Sequence, residues 1–172
     1  MIVLGIDPGK SGGLAIIASS PRGPRIIDAI DVPIGKDDRV DVIAVISFVQ
    51  ANPPDLAVVE RVSPMPSTVD FKGMGATSAF NYGAAVFSVR TCVIGLGIRL
   101  IQIEPTAWKK FHELSKLVDP ATGEKLEKRK VKEVGRKKAL GLFANGLRYF
   151  PNIGHHNRAE ACLIAVYGAT LA

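Results

Sequence analysis

Three acidic residues stand where an unpartnered charge is costly. Asp7 closes the apolar run from Ile2 to Ile6, and Glu60 follows the run from Leu56 to Val59. Each run reads as a buried strand. A charged side chain at the end of such a run is ordinarily paired, solvated or bound to a cation. If the first and fourth strands are sheet neighbours, both carboxylates leave the same edge. Glu160 lies one turn into the last predicted helix and can face them. Three carboxylates converging from distant positions suit Mg²⁺, which takes carboxylate and phosphate oxygens and keeps several waters. Two such ions about 4 Å apart clamp an in-line phosphodiester displacement, one activating water and one stabilising the leaving oxygen. A single strand-end acid carries little weight, since Asp7-Pro8-Gly9 is also a type I turn; the combination carries the reading.

The second chemical signal is charge. The net charge of the 172 residues is +6, and the stretch from Lys109 to Lys138 alone holds eleven Lys or Arg against five Asp or Glu. The whole excess therefore lies in thirty residues. A solvated helix face is the plain reading of such a run. Beside a carboxylate cluster it reads instead as a footprint for a polyanion, because each neutralised phosphate releases condensed counterions.

The elements that position these residues follow from periodicity and punctuation. Strands are predicted over Ile2–Ile6, Leu14–Ala18, Ile26–Pro33, Leu56–Val59 and Arg99–Ile103, with a five-residue glycine-rich hairpin loop from Gly9 to Gly13. Helices are predicted over Arg39–Ala51, Gly75–Gly95, Thr106–Leu114, Lys125–Asn145 and Asn157–Ala169. The stretch from Arg61 to Lys72, with Pro64 and Pro66, is irregular. A three-stranded meander followed by alternating helices and strands gives an α/β layout with a mixed sheet.

Composition bounds the remainder. With 47% hydrophobic and 22% charged residues the chain is an ordinary globular sequence, of a length that suits one domain over residues 1–172. Cys92 and Cys162 match no zinc spacing and cannot build a disulfide framework, so both read as small buried hydrophobes in a reducing compartment. The start of the chain lacks a basic signal-peptide region, and the best apolar stretch, Ala84–Ile98, is interrupted by Ser88 and Arg90. A cytoplasmic protein without a membrane partner is expected.

Five segments then occur in order across nearly the whole chain. They are Gly5-Ile6-Asp7-Pro8-Gly9 before the hairpin, Val58-Val59-Glu60, Gly75 through Asn81-Tyr82-Gly83 opening a long helix, Ile103-Glu104-Pro105-Thr106-Ala107-Trp108-Lys109-Lys110, and Arg158-Ala159-Glu160-Ala161. In this set the sequence resembles the RuvC-type Holliday-junction resolvases, particularly the phage-like branch, within the RNase H-like superfamily. The resemblance implies an RNase H-like α/β fold, a five-stranded mixed sheet flanked by helices. It also implies a homodimer that binds four-way or branched DNA and nicks two strands symmetrically with Mg²⁺ or Mn²⁺, two ions per site and no nucleotide cofactor.

By position Asp7, Glu60 and Glu160 fall on acidic sites of that family, as metal ligands and catalytic residues. A further Asp usually stands three residues before the last acid, where this chain has Asn157, which offers a neutral oxygen but no charge. Three readings of Asn157 stay open: His156 or His155 substitutes as ligand or proton shuttle, the protein is a weak nuclease, or Asn157 replaces a natural Asp. Resemblance places Lys109 and Lys132 on phosphates near the scissile bond. Lys110, Lys128, Arg129, Lys130, Arg136 and Lys137 extend a track that positions DNA without reading its sequence. The aromatic that often stacks on an unpaired base three residues after the second acid is Ser63 here, which makes Phe71, beside Lys72, the candidate stacker. Trp108 and the Tyr149-Phe150 pair read as core, and so, for the most part, do Phe80, Ala84, Phe87 and Thr91 at three- and four-residue spacing on the Gly75–Gly95 helix. The small Gly83, Ala84 and Ala85 of that helix let two helices approach closely, and the resemblance makes it the expected dimer element. Three alternatives remain: a non-cleaving junction binder, an RNase H-like nuclease for ribosomal RNA precursors or branched DNA, and, more remotely, an actin- or hexokinase-like ATPase fragment using Asp7, Gly9, Lys10 and Gly13.

Overall fold

The computed structural model describes residues 1–62, 75–115, 117–119 and 121–172. Five strands form one sheet: β1 (Ile2–Asp7), β2 (Gly13–Ala18), β3 (Arg25–Asp31), β4 (Leu56–Glu60) and β5 (Leu100–Ile103), in the order β3-β2-β1-β4-β5. The first three form the expected antiparallel meander, and β4 and β5 add on in parallel. The helices are α1 (Val42–Ala51), α2 (Ala76–Gly95), α3 (Pro105–Phe111), α4 (Lys128–Leu142) and α5 (His156–Ala169), with short 3₁₀ turns at Gly146–Arg148 and Ile153–His155. The architecture is the expected RNase H-like α/β arrangement with a mixed sheet.

The central strands are apolar on both faces because both faces are covered. Leu4, Ile6, Leu14, Ile16, Ala57 and Val59 pack in one cluster with Val45 and Val49 of α1 and Val89 and Val93 of α2. Val3, Ala15, Ile17 and Val58 pack on the other face with Cys162, Leu163 and Ile164 of α5, Ala139 of α4 and Trp108 of α3. The two cysteines are buried and unpaired, as their composition suggested.

The seating of α5 decides where Glu160 goes. A Cβ built on Gly5 of β1 would lie 2.0 Å from the Ala161 carbonyl oxygen, so only glycine lets the helix backbone approach the strand this closely. At its other end Arg158 grips both oxygens of Asp31, at 2.9 and 2.7 Å, and donates to the Tyr149 carbonyl at 3.1 Å. The last helix is thereby pinned across the end of β3 and along β1.

Several boundaries differ from the periodicity, each for a local reason. The first helix begins at Val42 rather than Arg39, because the Asp41 carboxylate caps the Ala44 amide at 3.0 Å and Ile34 bridges Val40 ahead of it. The basic helix begins at Lys128 rather than Lys125, since Lys125 bridges Val118 and the Leu126 amide donates to Leu117. It stops at Leu142, where Phe143 turns into the core and the Asn145 amide donates to the Ile26 carbonyl at 2.8 Å. Among the described residues no helix is long and apolar enough to cross a membrane.

Candidate active site at the sheet edge

Parallel pairing of β1 and β4 sets Ile6 opposite Val59, so Asp7 and Glu60 leave the sheet side by side. Ile103, at the end of β5, pairs with Glu60 and leads directly into α3, which carries Trp108 and Lys109 to the same edge. Glu160, one residue before the Ala161 that abuts Gly5, arrives from above. Topology thus gathers four distant segments at the C-terminal end of three parallel strands.

The charges there act on one another. The Asp7 carboxyl is pushed well above the usual range, first by burial and then by the negative charges of Glu160 and Glu60, with Lys109 and Lys132 partly offsetting them. Burial likewise raises Glu160, opposed by Lys109 and His156, with Glu60 raising it further and Lys132 opposing again. The Tyr82 phenol is raised by burial and then by the charges of Asp7 and Glu60, so it lies within their electrostatic reach. A Cβ on Gly9 would come within 3.1 Å of the Tyr82 ring, which fixes that ring over the turn after Asp7.

Glu60 is held most firmly. Its Oε2 accepts the Trp108 indole N–H at 2.5 Å, and the Lys109 ammonium stands 4.0 Å from the same oxygen. Asn157 is also committed: its amide N–H₂ donates to the Ser11 carbonyl of the β1–β2 hairpin. An aspartate in that pose would set oxygen against oxygen. His156 donates from Nδ1 to the Ile153 carbonyl at 2.9 Å, and its Nε2 is buried without a partner. His155 Nδ1 is likewise buried and unpartnered.

These donors suit a hard divalent cation by chemistry. Crowded, desolvated carboxylates that repel one another gain from a positive charge between them. His156, with one nitrogen on a backbone carbonyl and the other bare, has the arrangement that orients metal-binding imidazoles. The cage is not closed: among the described residues no three Asp, Glu, His or Cys side chains converge on one point. The Ser11 bond to Asn157 accounts for where that side chain is turned.

The remaining sequence candidates separate into groups. Lys109 and Lys132 lie within electrostatic reach of Asp7 and Glu160. Lys110, Lys128, Arg129 and Lys137 are exposed. Lys130 pairs with Asp119 at 3.4 Å. Arg136 is turned inward, with both guanidinium arms on Glu133 at 2.9 and 2.8 Å and a third bond to the Phe150 carbonyl. Phe71 and Lys72 lie outside the described residues.

In the sequence Trp108 reads as core, which its burial bears out, but neither its bond to Glu60 nor the place of Tyr82 beside the acids is visible there. A signal for the first existed: a buried indole N–H needs an acceptor, and Trp108 directly precedes the lysine expected at the acidic edge.

No protein-family model and no curated protein sequence matches the chain. Solved structures do. The structure described as T. thermophilus RuvC in complex with Holliday junction substrate superposes with a TM-score of 0.66 over 100% of this chain and 97% of that one, at 18% identity. Thermus thermophilus RuvC gives 0.63 at 21% identity, covering 98% and 93%. The Fowlpox virus resolvase in complex with substrate Holliday junction DNA gives 0.56 at 12% identity, covering 100% of both chains. The likeness is one of fold, and it extends over the full length.

Proposed function

We propose that this chain is a divalent-cation-dependent endonuclease that binds four-way DNA junctions as a homodimer and nicks two strands symmetrically. The reading is supported by the side-by-side exit of Asp7 and Glu60 from one sheet edge, with Glu160 within electrostatic reach, in a fold shared end to end with a protein solved on a Holliday junction.

In this reading Asp7, Glu60 and Glu160 hold the cations, with His156 Nε2 as the added ligand and the Asn157 carbonyl oxygen as a neutral one. Mg²⁺ or Mn²⁺, two per site, supplies the charge that activates water and stabilises the leaving oxygen. Lys109, beside Glu60 and within reach of Asp7 and Glu160, places a phosphate against the carboxylates. Lys132 does the same from α4, while Lys110, Lys128, Arg129 and Lys137 run the backbone track away from the site. Arg136 serves the fold of α4 in this scheme, and Lys130 reaches DNA by leaving Asp119.

The homodimer has its own support. Phe80, Ala84, Phe87, Thr91 and Ile94 follow the alternating four- and three-residue spacing of a helix-pairing seam on α2. Phe80 and Phe87, whose spacing reads as core packing, are instead 73% and 67% exposed, and Ile94 is 57% exposed. A seam of this kind is self-complementary about a two-fold axis, and a junction that is cut symmetrically needs two carboxylate sites.

The test is a labelled synthetic four-way junction and a linear duplex of the same sequence, each incubated with the chain and Mn²⁺. Paired nicks in opposing strands of the junction, and none in the duplex, support the nuclease. A stable gel shift without products supports the junction-binding alternative, which the commitment of Asn157 to Ser11 favours. Equal handling of junction and duplex contradicts both.

A further inference from the structure

Trp108 is the single tryptophan of the chain, it is 1% exposed, and its indole N–H ends on a carboxylate. Burial of a large ring accounts for its place in the core; it does not require that the N–H meet Glu60, since any carbonyl nearby would satisfy it. The indole nitrogen donates only and carries no charge at any working pH. It therefore marks one oxygen of Glu60, Oε2, and leaves the lone pairs of Oε1 for another partner.

The geometry around the pair is stiff. Trp108 lies in the first turn of α3, directly after β5, whose Ile103 pairs with Glu60 itself. The ring meets His112 edge-on at 6.4 Å, and the Lys109 ammonium stands 5.1 Å from its centre on the side of Glu60. His112 in turn is buried and donates to the Leu163 carbonyl of α5. A chain of packed rings thus links the helix that carries Glu160 to the donor that holds Glu60. Flexible Lys109 alone could not fix the carboxylate, because a long ammonium side chain follows its partner, whereas a buried indole does not move.

We propose that Trp108 is a positioning residue for the cation site: its N–H fixes the Glu60 carboxylate so that Oε1 faces the ion. The inference rests on the nuclease reading above. Partners of this kind, one shell behind the ligand, are worth about 10- to 100-fold in metal affinity or activity.

The test uses the full chain and Mg²⁺ alone. Trp108→Phe keeps an aromatic ring in the core and deletes the donor. By calorimetry this variant binds Mg²⁺ about ten- to a hundredfold more weakly than the wild type, and half-saturating Mg²⁺ for junction nicking rises by a similar factor, more than the rate at saturating Mg²⁺ falls. A purely structural role would lower the melting temperature and leave the half-saturating concentration in place. Because the wild-type chain has one tryptophan, its emission reads the same contact without any substitution. Mg²⁺ shifts that emission saturably, with the midpoint found by calorimetry, even if Trp108→Phe fails to fold. Equal or tighter Mg²⁺ binding by Trp108→Phe, or a wild-type emission indifferent to Mg²⁺ that calorimetry shows to bind, overturns the positioning role alone. A wild-type chain that binds no Mg²⁺ overturns the nuclease reading and this role together.

Discussion

Asp7 shows what the fold demands of a single side chain. Burial and two neighbouring carboxylates raise its pKa, so the folded chain holds that proton more tightly than the unfolded one. The stability this brings is full below the unfolded value, about 3.9 for an aspartate, and is lost as pH rises through the raised folded value. In chelator, Asp7→Asn therefore melts with the wild type in acid and increasingly above it toward neutral pH; a gap independent of pH would contradict the assignment. Asn157 tests the opposite situation. Asn157→Asp deletes the donor to Ser11 and adds a charge, which lowers stability in chelator by about 1–3 kcal/mol. The same change raises Mg²⁺-dependent junction cleavage, because the new carboxylate has a cation to turn to. An unchanged cleavage rate in a variant that still binds junctions would defeat it. At this scale the acidic residues were legible, since Asp7 and Glu60 end apolar runs where a lone charge is expensive. The hold of Trp108 on Glu60 was not, because forty-eight residues separate them and only the pairing of β4 with β5 brings them together.

At the scale of elements, the site depends on how closely α5 lies on β1. Gly5→Ala places a methyl group against a backbone carbonyl rather than a movable side chain. Its expected cost is near the upper end of the 1–3 kcal/mol typical of overpacking, about 3 kcal/mol by urea denaturation. It also lifts Glu160 from Asp7, so cleavage falls further than the loss of folded protein explains. A variant with unaltered stability and activity would show that the close approach is not needed. The strands and helices themselves were legible from apolar runs and their punctuation. Their ends were less so: Asp41 reads as a helix residue until its carboxylate is seen to cap Ala44, and Lys125 reads as helical until it is seen to bridge Val118. Those choices are made by contacts between segments, which a helical period does not encode.

The whole molecule combines one acidic edge, one basic helix and one exposed seam. If the α2 seam pairs two copies, Phe87→Glu buries charge at its centre and yields monomers in sedimentation velocity, with paired nicking lost. A dimer that survives this substitution places the interface elsewhere. The basic stretch was visible in the sequence as a block; that Arg136 is turned inward was not, because beyond its neighbour Glu133 on the same helix it bonds the Phe150 carbonyl, which it reaches only where α4 meets the loop before α5. The central claim is that carboxylates from three distant positions act together on a branched nucleic acid. The most direct measurement compares Mn²⁺-dependent nicking of a four-way junction by the wild type with that of Asp7→Asn, Glu60→Gln and Glu160→Gln, with junction binding followed in parallel by gel shift. Each substitution is expected to lower nicking by about a hundredfold or more while the gel shift persists; wild-type nicking that survives the loss of any one of the three would contradict it.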